Sequence, residues 1–286
     1  MKFLIGGLGN WYNDYKFVSQ MVIKADQLGF DGALMPDHYM WGSMGGRLAR
    51  PDRFVTMETW ITLTHLLAQT EHIKLGTLVT PIPFRPPGIM AKMVSTLDYL
   101  SGGRVIFGVG AGWAQEEFDG YSEWNEPKIR VDKTKEGLEL MMKLWTEDKV
   151  NFEGEYYKAI DAVLEPKPVQ KPFPKLLFGG SGNRMLSLAG QYGDIVFIPP
   201  MRGPEAVKEG RMRVLKSARN SNREDKISFM SGTMMGPPVS EIEGFARLIE
   251  LAVGAGDKYF LPSFGYGKNS IELMTKFAKE IIPSFI

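Results

Sequence analysis

Residues 73–113 read IKLGTLVTPIPFRPPGIMAKMVSTLDYLSGGRVIFGVGAGW. The run Ile73–Thr80 is apolar without strict alternation, the pattern of a parallel strand buried on both faces. A proline corner from Pro81 to Pro87 turns the chain. Residues 87–100 then carry apolar side chains at helical spacing, and Gly102 and Gly103 stop the helix. A second continuous run, Arg104–Gly108, follows and opens into glycines at 108, 110 and 112. The stretch is one strand–helix–strand crossover, the unit that a parallel sheet requires.

The same unit recurs in both directions along the chain. Eight runs read as buried strands: Lys2–Gly6, Gly32–Pro36, Ile73–Thr80, Arg104–Gly108, Leu176–Gly179, Asp194–Ile198, Ile227–Thr233 and Lys258–Leu261. Helical spacing lies between them. The first helical stretch carries Phe17, Val18, Met21, Val22, Ala25 and Leu28 on one side and stops at Gly29. Others run over 57–69, 87–100, 130–147, 183–191, 205–220, 239–253 and 269–282. Eight strand–helix units in a chain a little over ~250 residues long describe a (β/α)8 TIM barrel, an α/β fold. The competitor is a doubly wound open sheet, which has fewer strands and a glycine fingerprint after the first. Gly6-Gly7-Leu8-Gly9 only loosely suggests that fingerprint. The barrel takes residues 1–286 as one domain, with insertions at about 38–55, 113–129 and 149–175. The first two follow strands, so they wall the face where barrel chemistry sits. The third, studded with Pro166, Pro168, Pro172 and Pro174, precedes a strand and packs outside or underneath.

Composition narrows the chemistry. The chain has 286 residues, 44% hydrophobic and 23% charged, in the range of a soluble globular protein. Lys plus Arg number 34 against 33 Asp plus Glu, so no global field draws it to nucleic acid or an anionic membrane. Cysteine is absent, which excludes disulfides, thiolate nucleophiles and cysteine-held metals. Histidine occurs three times, at His38, His65 and His72, too few for a multi-histidine metal site, and no metal is expected. No secretory signal or membrane-length apolar stretch is present, so the expected location is the cytoplasm.

Three features stand at strand ends. Pro36-Asp37-His38-Tyr39-Met40-Trp41 follows the second strand and holds the only histidine at such a position. Histidine titrates near neutrality and suits acid–base work, with Asp37 or Glu58 to orient it; the alternative is that Asp37 and His38 only cap the strand. Gly108 to Trp113 follow the fourth strand, and their alternate glycines let backbone approach a planar or phosphorylated ligand; the alternative is a tight corner plugged by Trp113. Gly179-Gly180-Ser181-Gly182-Asn183-Arg184 follow the fifth strand and lead into a helix. A glycine-rich turn at a helix N-terminus makes an anion site, to which Ser181 or Arg184 adds a bond. A serine triad, a Schiff-base lysine and a divalent carboxylate cage all fail on inventory. What remains suits an enzyme whose cofactor does the hard chemistry.

At these residues the chain resembles the luciferase-like (bacterial luciferase) superfamily of flavin- or deazaflavin-dependent oxidoreductases, over roughly residues 3–200. The stretches that carry the resemblance are Pro36-Asp37-His38, Glu58 to Trp60 with Leu75 to Thr77, Thr80-Pro81 with Phe84 to Pro87, Leu97 to Arg104, Gly108 to Trp113 with Glu117-Phe118, and Glu165 to Pro172 before Gly179 to Gly182. The resemblance implies a barrel that holds FMN or coenzyme F-420 at the strand C-termini. It implies that Leu78, Val79 and Thr80 form a bulge behind the ring, often with a non-proline cis bond. Gly110, Ala111 and Gly112, with Trp113, would flank the ring, and Gly179, Gly180, Ser181 and Gly182 would receive the phosphate. In the F-420-dependent branch a histidine matching His38 serves in proton transfer, and an aromatic matching Trp41 shapes the site. The sugar-phosphate dehydrogenases of that branch also have an acidic residue in the fourth-strand loop. Here Trp113 is the nearest match, with Glu116 and Glu117 beyond it.

Three functions follow as expectations. The first is hydride transfer between coenzyme F-420 and a small organic substrate, with His38 as acid–base and Asp37 and Trp41 beside it. The second is an FMN-dependent monooxygenase using reduced flavin and oxygen. The third is a non-catalytic flavin-binding barrel. The resemblance also implies a homodimer, for which Trp60, Ile61, Met90 and Met93 offer an apolar face; the alternative is that they are ordinary barrel-facing core.

Overall fold

The computed structural model describes residues 1–9, 15–40, 56–233, 242–267 and 269–285. Barrel strands β1 (Lys2–Ile5), β2 (Gly32–Met35) and β3 (Lys74–Thr77) come first. A short β4 (Thr80–Pro81) continues β3 beyond Leu78–Val79, whose peptide is cis. The single strand expected over 73–80 is therefore two. β5 (Val105–Gly110) follows, then an antiparallel hairpin of β6 (Val150–Glu153) and β7 (Lys158–Ala162). β8 (Lys175–Gly179), β9 (Ile195–Phe197), β10 (Ser228–Gly232) and β11 (Tyr259–Leu261) complete the set. The parallel strands run β3, β2, β1, β11, β10, β9, β8, β5, and the pairing of β3 with β5 closes the ring.

The hairpin lies inside the stretch 149–175 that reads as a proline-studded connection. Its strands are half exposed and short, so neither shows the buried apolar run that marks the barrel strands. β5 also runs on to Gly110, two residues past its expected end, because Thr80 and Pro81 of β4 pair with Val109 and Gly110.

Helices α1 (Tyr15–Gln27), α2 (Thr59–Leu67) and α3 (Pro87–Leu100) pack outside the first strands. α4 (Gln115–Tyr121) lies in the excursion after β5, and α5 (Pro127–Thr146) starts three residues before its expected position, with Pro127 preorganised for the first turn. α6 (Asn183–Tyr192), α7 (Pro204–Asn220), α8 (Ile242–Gly254) and α9 (Ser270–Glu280) follow.

Alternation along each strand sorts two cores. Leu4, Leu34, Ile106, Leu177, Ile195, Phe197, Met230, Tyr259 and Leu261 fill the barrel interior. Their neighbours Phe3, Ile5, Val105, Phe107, Leu176 and Phe260 face the helices in the larger cluster. Both faces are buried, which is why the strands read as unbroken apolar runs. Trp60 and Met90 belong to that core at 2% and 1% exposure, so of the face expected to dimerise only Ile61 is fully exposed. Among the described residues no helix is long and apolar enough to cross a membrane.

The β3–β5 seam is the tightest point of the ring. A Cβ on Gly76 would stand 2.1 Å from the carbonyl oxygen of Ile106. Gly76→Ala is expected to cost about 3 kcal/mol, the upper end of overpacking. Gly254→Ala, whose Cβ would meet nothing within 4 Å, should leave stability unchanged or slightly raised. Urea midpoints of the two variants check this.

Candidate active site

The C-terminal ends of the strands open on one mouth, and His38 stands on it three residues past β2. Its Nδ1 lies 2.6 Å from Oε2 of Glu117 on α4. Glu117 is fully buried, and its Oε1 accepts the backbone N–H groups of Tyr39 at 2.8 Å and Met40 at 3.0 Å. The orienting carboxylate is therefore Glu117, in place of the expected Asp37 or Glu58. The Glu117-Phe118 pair within the family-like motif was the signal available in the sequence.

Asp37 has a different task. Its buried carboxylate holds Arg85 in a fork, Nη1 to Oδ2 at 2.8 Å and Nη2 to Oδ1 at 3.0 Å. It also accepts the Thr80 hydroxyl at 2.8 Å and the Trp60 indole N–H at 3.2 Å. Arg85 bonds Glu58 as well. Burial disfavours the Arg85 cation, but Asp37 beside it prevails and holds the guanidinium above its ordinary range. Asp37 thus fixes the end of β2, next to His38, against the chain after β4.

Aromatic rings wall the site. Trp113 is 56% exposed and meets the His38 ring edge-on, centroids 5.8 Å apart. Tyr39 lies 4.9 Å from both Phe84 and Tyr121. Residues 41–55, with Trp41 and the arginines at 47, 50 and 53, lie outside the described residues. His65 and His72 stand apart on the protein exterior.

Glycines make the remaining wall. A Cβ on Gly110 would meet Val79 Cγ2 at 2.4 Å, and one on Gly179 would meet Val79 Cγ1 at 2.9 Å. Val79 therefore projects between two strand ends that have no side chains. The Leu78–Val79 peptide is cis, as the resemblance implies. Gly112, at φ +77°, passes against the Phe118 ring. Beyond β8, a Cβ on Gly180 or Gly182 would enter open space. Gly182 is the N-cap of α6 and gives it no side-chain cap, so the first amides of that helix keep their donors. Ser181 lies between them, half-buried. Arg184, expected to help hold an anion there, turns instead onto α5 and bonds the Lys128 carbonyl at 2.9 Å and Asp132.

A second arginine, on α5, is buried. Arg130, in the first turn of α5, is 7% exposed and stacks on the Trp124 ring at 3.9 Å. Its Nη1 reaches back to the Asn125 carbonyl, and its buried Nε has no hydrogen-bond partner. No carboxylate pairs with it among the described residues. One turn on, the Thr134 hydroxyl lies 3.5 Å from the Gly110 carbonyl, so this face of α5 looks onto the glycine wall. Sequence reasoning missed Arg130, although it falls on the stripe of Thr134, Leu138 and Met141, where a charged residue is out of place. Among the described residues no three His, Asp or Glu side chains stand together as a metal site.

Burial pushes the Tyr39 phenol up to about 12, against the pull of Arg85. Burial also brings Tyr157 up to about 12. A raised phenol contributes stability that is whole below about pH 10 and is lost as pH climbs through about 12. Melting temperature should fall over that window, and Tyr39→Phe should fall less steeply; thermal melts at stepped alkaline pH test it.

Comparison with known proteins gives a consistent picture. Residues 5–235 match the family model described as luciferase-like monooxygenase. An F420-dependent glucose-6-phosphate dehydrogenase of Segniliparus rotundus is 34% identical over 223 residues, 73% of this chain and 64% of that protein. The match thus spans less than two-thirds of that relative's length. An FMNH(2)-dependent dimethylsulfone monooxygenase of Pseudomonas putida is 34% identical over 139 residues, 48% of this chain and 38% of the relative. Among solved structures, an F420-dependent secondary alcohol dehydrogenase in complex with an F420-acetone adduct superposes with a TM-score of 0.81 at 21% identity, covering 100% of this chain and 99% of that one. That likeness is one of fold. With a (β/α)8 barrel, a strand-end histidine and a matched stretch covering most of its length, this chain belongs to the luciferase-like monooxygenase family.

Proposed function

We propose that this chain is an oxidoreductase that transfers a hydride between coenzyme F-420 and a small organic substrate. The observation that carries the proposal is the His38–Glu117 pair, 2.6 Å apart, on the same barrel mouth as a wall without side chains and an open anion cradle. The residues fit that coenzyme. A flat tricyclic ring needs a smooth wall, and Gly110 and Gly179 flank Val79 without a Cβ. A phosphate needs amide donors and room, and the turn at Gly180, Ser181 and Gly182 into α6 has both. An anionic group also needs a cation, and Arg130 is buried without a carboxylate partner among the described residues.

When bound, coenzyme F-420 supplies a ring carbon that gives or takes a hydride, two electrons at a time. In this proposal Val79, Gly110, Ala111, Gly112 and Trp113 bound the ring, and Gly179 to Gly182 hold the phosphate. Thr80 and Asp37 act one step back, because their polar atoms are bonded to each other and to Trp60 and Arg85. His38 takes the proton of a substrate hydroxyl in the oxidative direction and returns it in the reductive one. Trp113 and Tyr121 border the place where that hydroxyl meets His38. The F420-dependent relatives support the coenzyme. The Pseudomonas putida relative supports a second reading, an FMN-dependent monooxygenase on the same glycine wall. The proposal takes residues 1–286 as one barrel domain, in the cytoplasm and as a homodimer. Exposed Ile61, Ile89, Tyr99 and Leu100 on α2 and α3 support the dimer.

Fluorescence titration of the purified protein with coenzyme F-420 and with FMN separates the readings. F-420 is expected to bind, and alcohols to reduce it. FMN binding with oxygen uptake and no F-420 binding selects the monooxygenase. Tight binding with no turnover of any substrate selects the non-catalytic barrel. His38→Ala should keep coenzyme affinity and lose about 10²–10⁴-fold in turnover. Arg130→Met should weaken F-420 binding about tenfold or more yet leave the apoprotein as stable or more so, since it removes a buried, unpaired charge. Paired binding titrations and thermal melts read both signs.

A further inference from the structure

We infer that Glu117 is the positioning residue for His38: it locks the imidazole in the tautomer with its proton on Nδ1, so that Nε2 meets the substrate oxygen as an acceptor. This inference rests on His38 as the proton carrier of the proposed reaction. It goes beyond that proposal by fixing which nitrogen acts and what fixes it.

Three observations on Glu117 carry it. The carboxylate is fully buried, so no bulk water competes for its oxygens. Oε1 already accepts two backbone N–H groups, from Tyr39 and Met40, which are donors only and cannot be reversed. Oε2 then faces Nδ1 of His38 at 2.6 Å, a length that demands one proton between them. Two fixed donors on Oε1 suit a carboxylate better than a carboxylic acid, so the inference assigns Oε2 as the acceptor and the proton to Nδ1. Whatever Nε2 contacts, it meets as the unprotonated nitrogen of the neutral ring. During oxidation the substrate O–H bond breaks and an N–H bond forms at Nε2, while the hydride of the adjacent C–H bond would pass to the coenzyme, which is reduced as the substrate is oxidised. The imidazolium that results has its positive charge against the Glu117 carboxylate. In the reverse direction the Nε2–H bond breaks and the substrate oxygen regains the proton.

The alternative role is purely structural: Glu117 ties the backbone of Tyr39 and Met40 to α4 and does nothing for the ring. Glu117→Gln separates the two. Its carbonyl can still accept the two backbone N–H groups, while its amide N–H₂ faces Nδ1 as a donor. The backbone tie survives and the ring tautomer inverts.

The test uses the cofactor-free protein labelled with ¹⁵N-histidine and long-range ¹H–¹⁵N correlation spectra. Only three histidines contribute, and His38→Ala assigns the signal. The expected result is protonated Nδ1 on His38 in the natural protein and protonated Nε2 in Glu117→Gln. In turnover assays with coenzyme F-420, Glu117→Gln should lower kcat by about 10²-fold or more with little change in coenzyme affinity, and Glu117→Asp should retain the Nδ1 proton and recover part of kcat. A natural-protein spectrum with the proton on Nε2, or a Glu117→Gln spectrum unchanged from it, overturns the inference. If Glu117→Gln fails to fold, loss of the Nδ1 proton in Glu117→Asp overturns it as well. Full turnover by His38→Ala overturns the reading of His38 as proton carrier, and it does so independently of the tautomer seen in the spectra.

Discussion

Removing the partner of a buried charge costs about 3–5 kcal/mol, and Asp37 is a fully buried carboxylate whose partner comes from far along the chain. Arg85 meets it from beyond β4, Trp60 from α2 and Thr80 from β4 itself. One carboxylate therefore holds together the end of β2, the start of α2 and the chain just after the Leu78–Val79 turn. Those are the segments that present His38 and Val79 to the mouth. The two sides of the site keep their spacing because neither can shift without uncovering a charge.

Much of the fold was legible because a barrel strand buried on both faces announces itself as an unbroken apolar run. β8, whose Leu176, Leu177 and Phe178 alternate between outer helices and inner core, is the plain case. The β6–β7 hairpin was not legible, since its residues are half exposed and carry no such run. α4 was hidden for a related reason: it is short and shows only Phe118 as a buried apolar side chain. Strand ends were legible only approximately, because the extension of β5 to Gly110 depends on pairing with β4, which the local sequence does not encode.

The site was legible by residue type and opaque by partner. His38 could be singled out because it is the one histidine at a strand end, and the glycines because they cluster there. Which carboxylate reaches His38 depends on where the chain after β5 folds back, and Asp37, adjacent in sequence, was the natural candidate. It points the other way because Arg85 claims it. The arginines differ from their sequence reading in the same manner. The arginine beside the glycine turn found an aspartate on α5, while the one on the buried stripe of α5 found none. Where the resemblance puts an acidic residue this chain has Trp113, and a carboxylate comes four positions on at Glu117, facing the histidine.

The location of Glu117 also limits how this protein can change. It lies on α4, in the same excursion as Trp113, whose ring meets His38, and Tyr121, whose ring meets Tyr39. In most barrels the loops that select a substrate vary freely, because the chemistry sits on the strands beneath them. Here the excursion that brings Trp113 against His38 also holds the partner of that histidine. A graft of a different excursion onto this scaffold would change the substrate border and the histidine's partner in one step. Any replacement excursion that keeps His38 and the Tyr39–Met40 backbone partnered must keep a carboxylate at this turn of the helix.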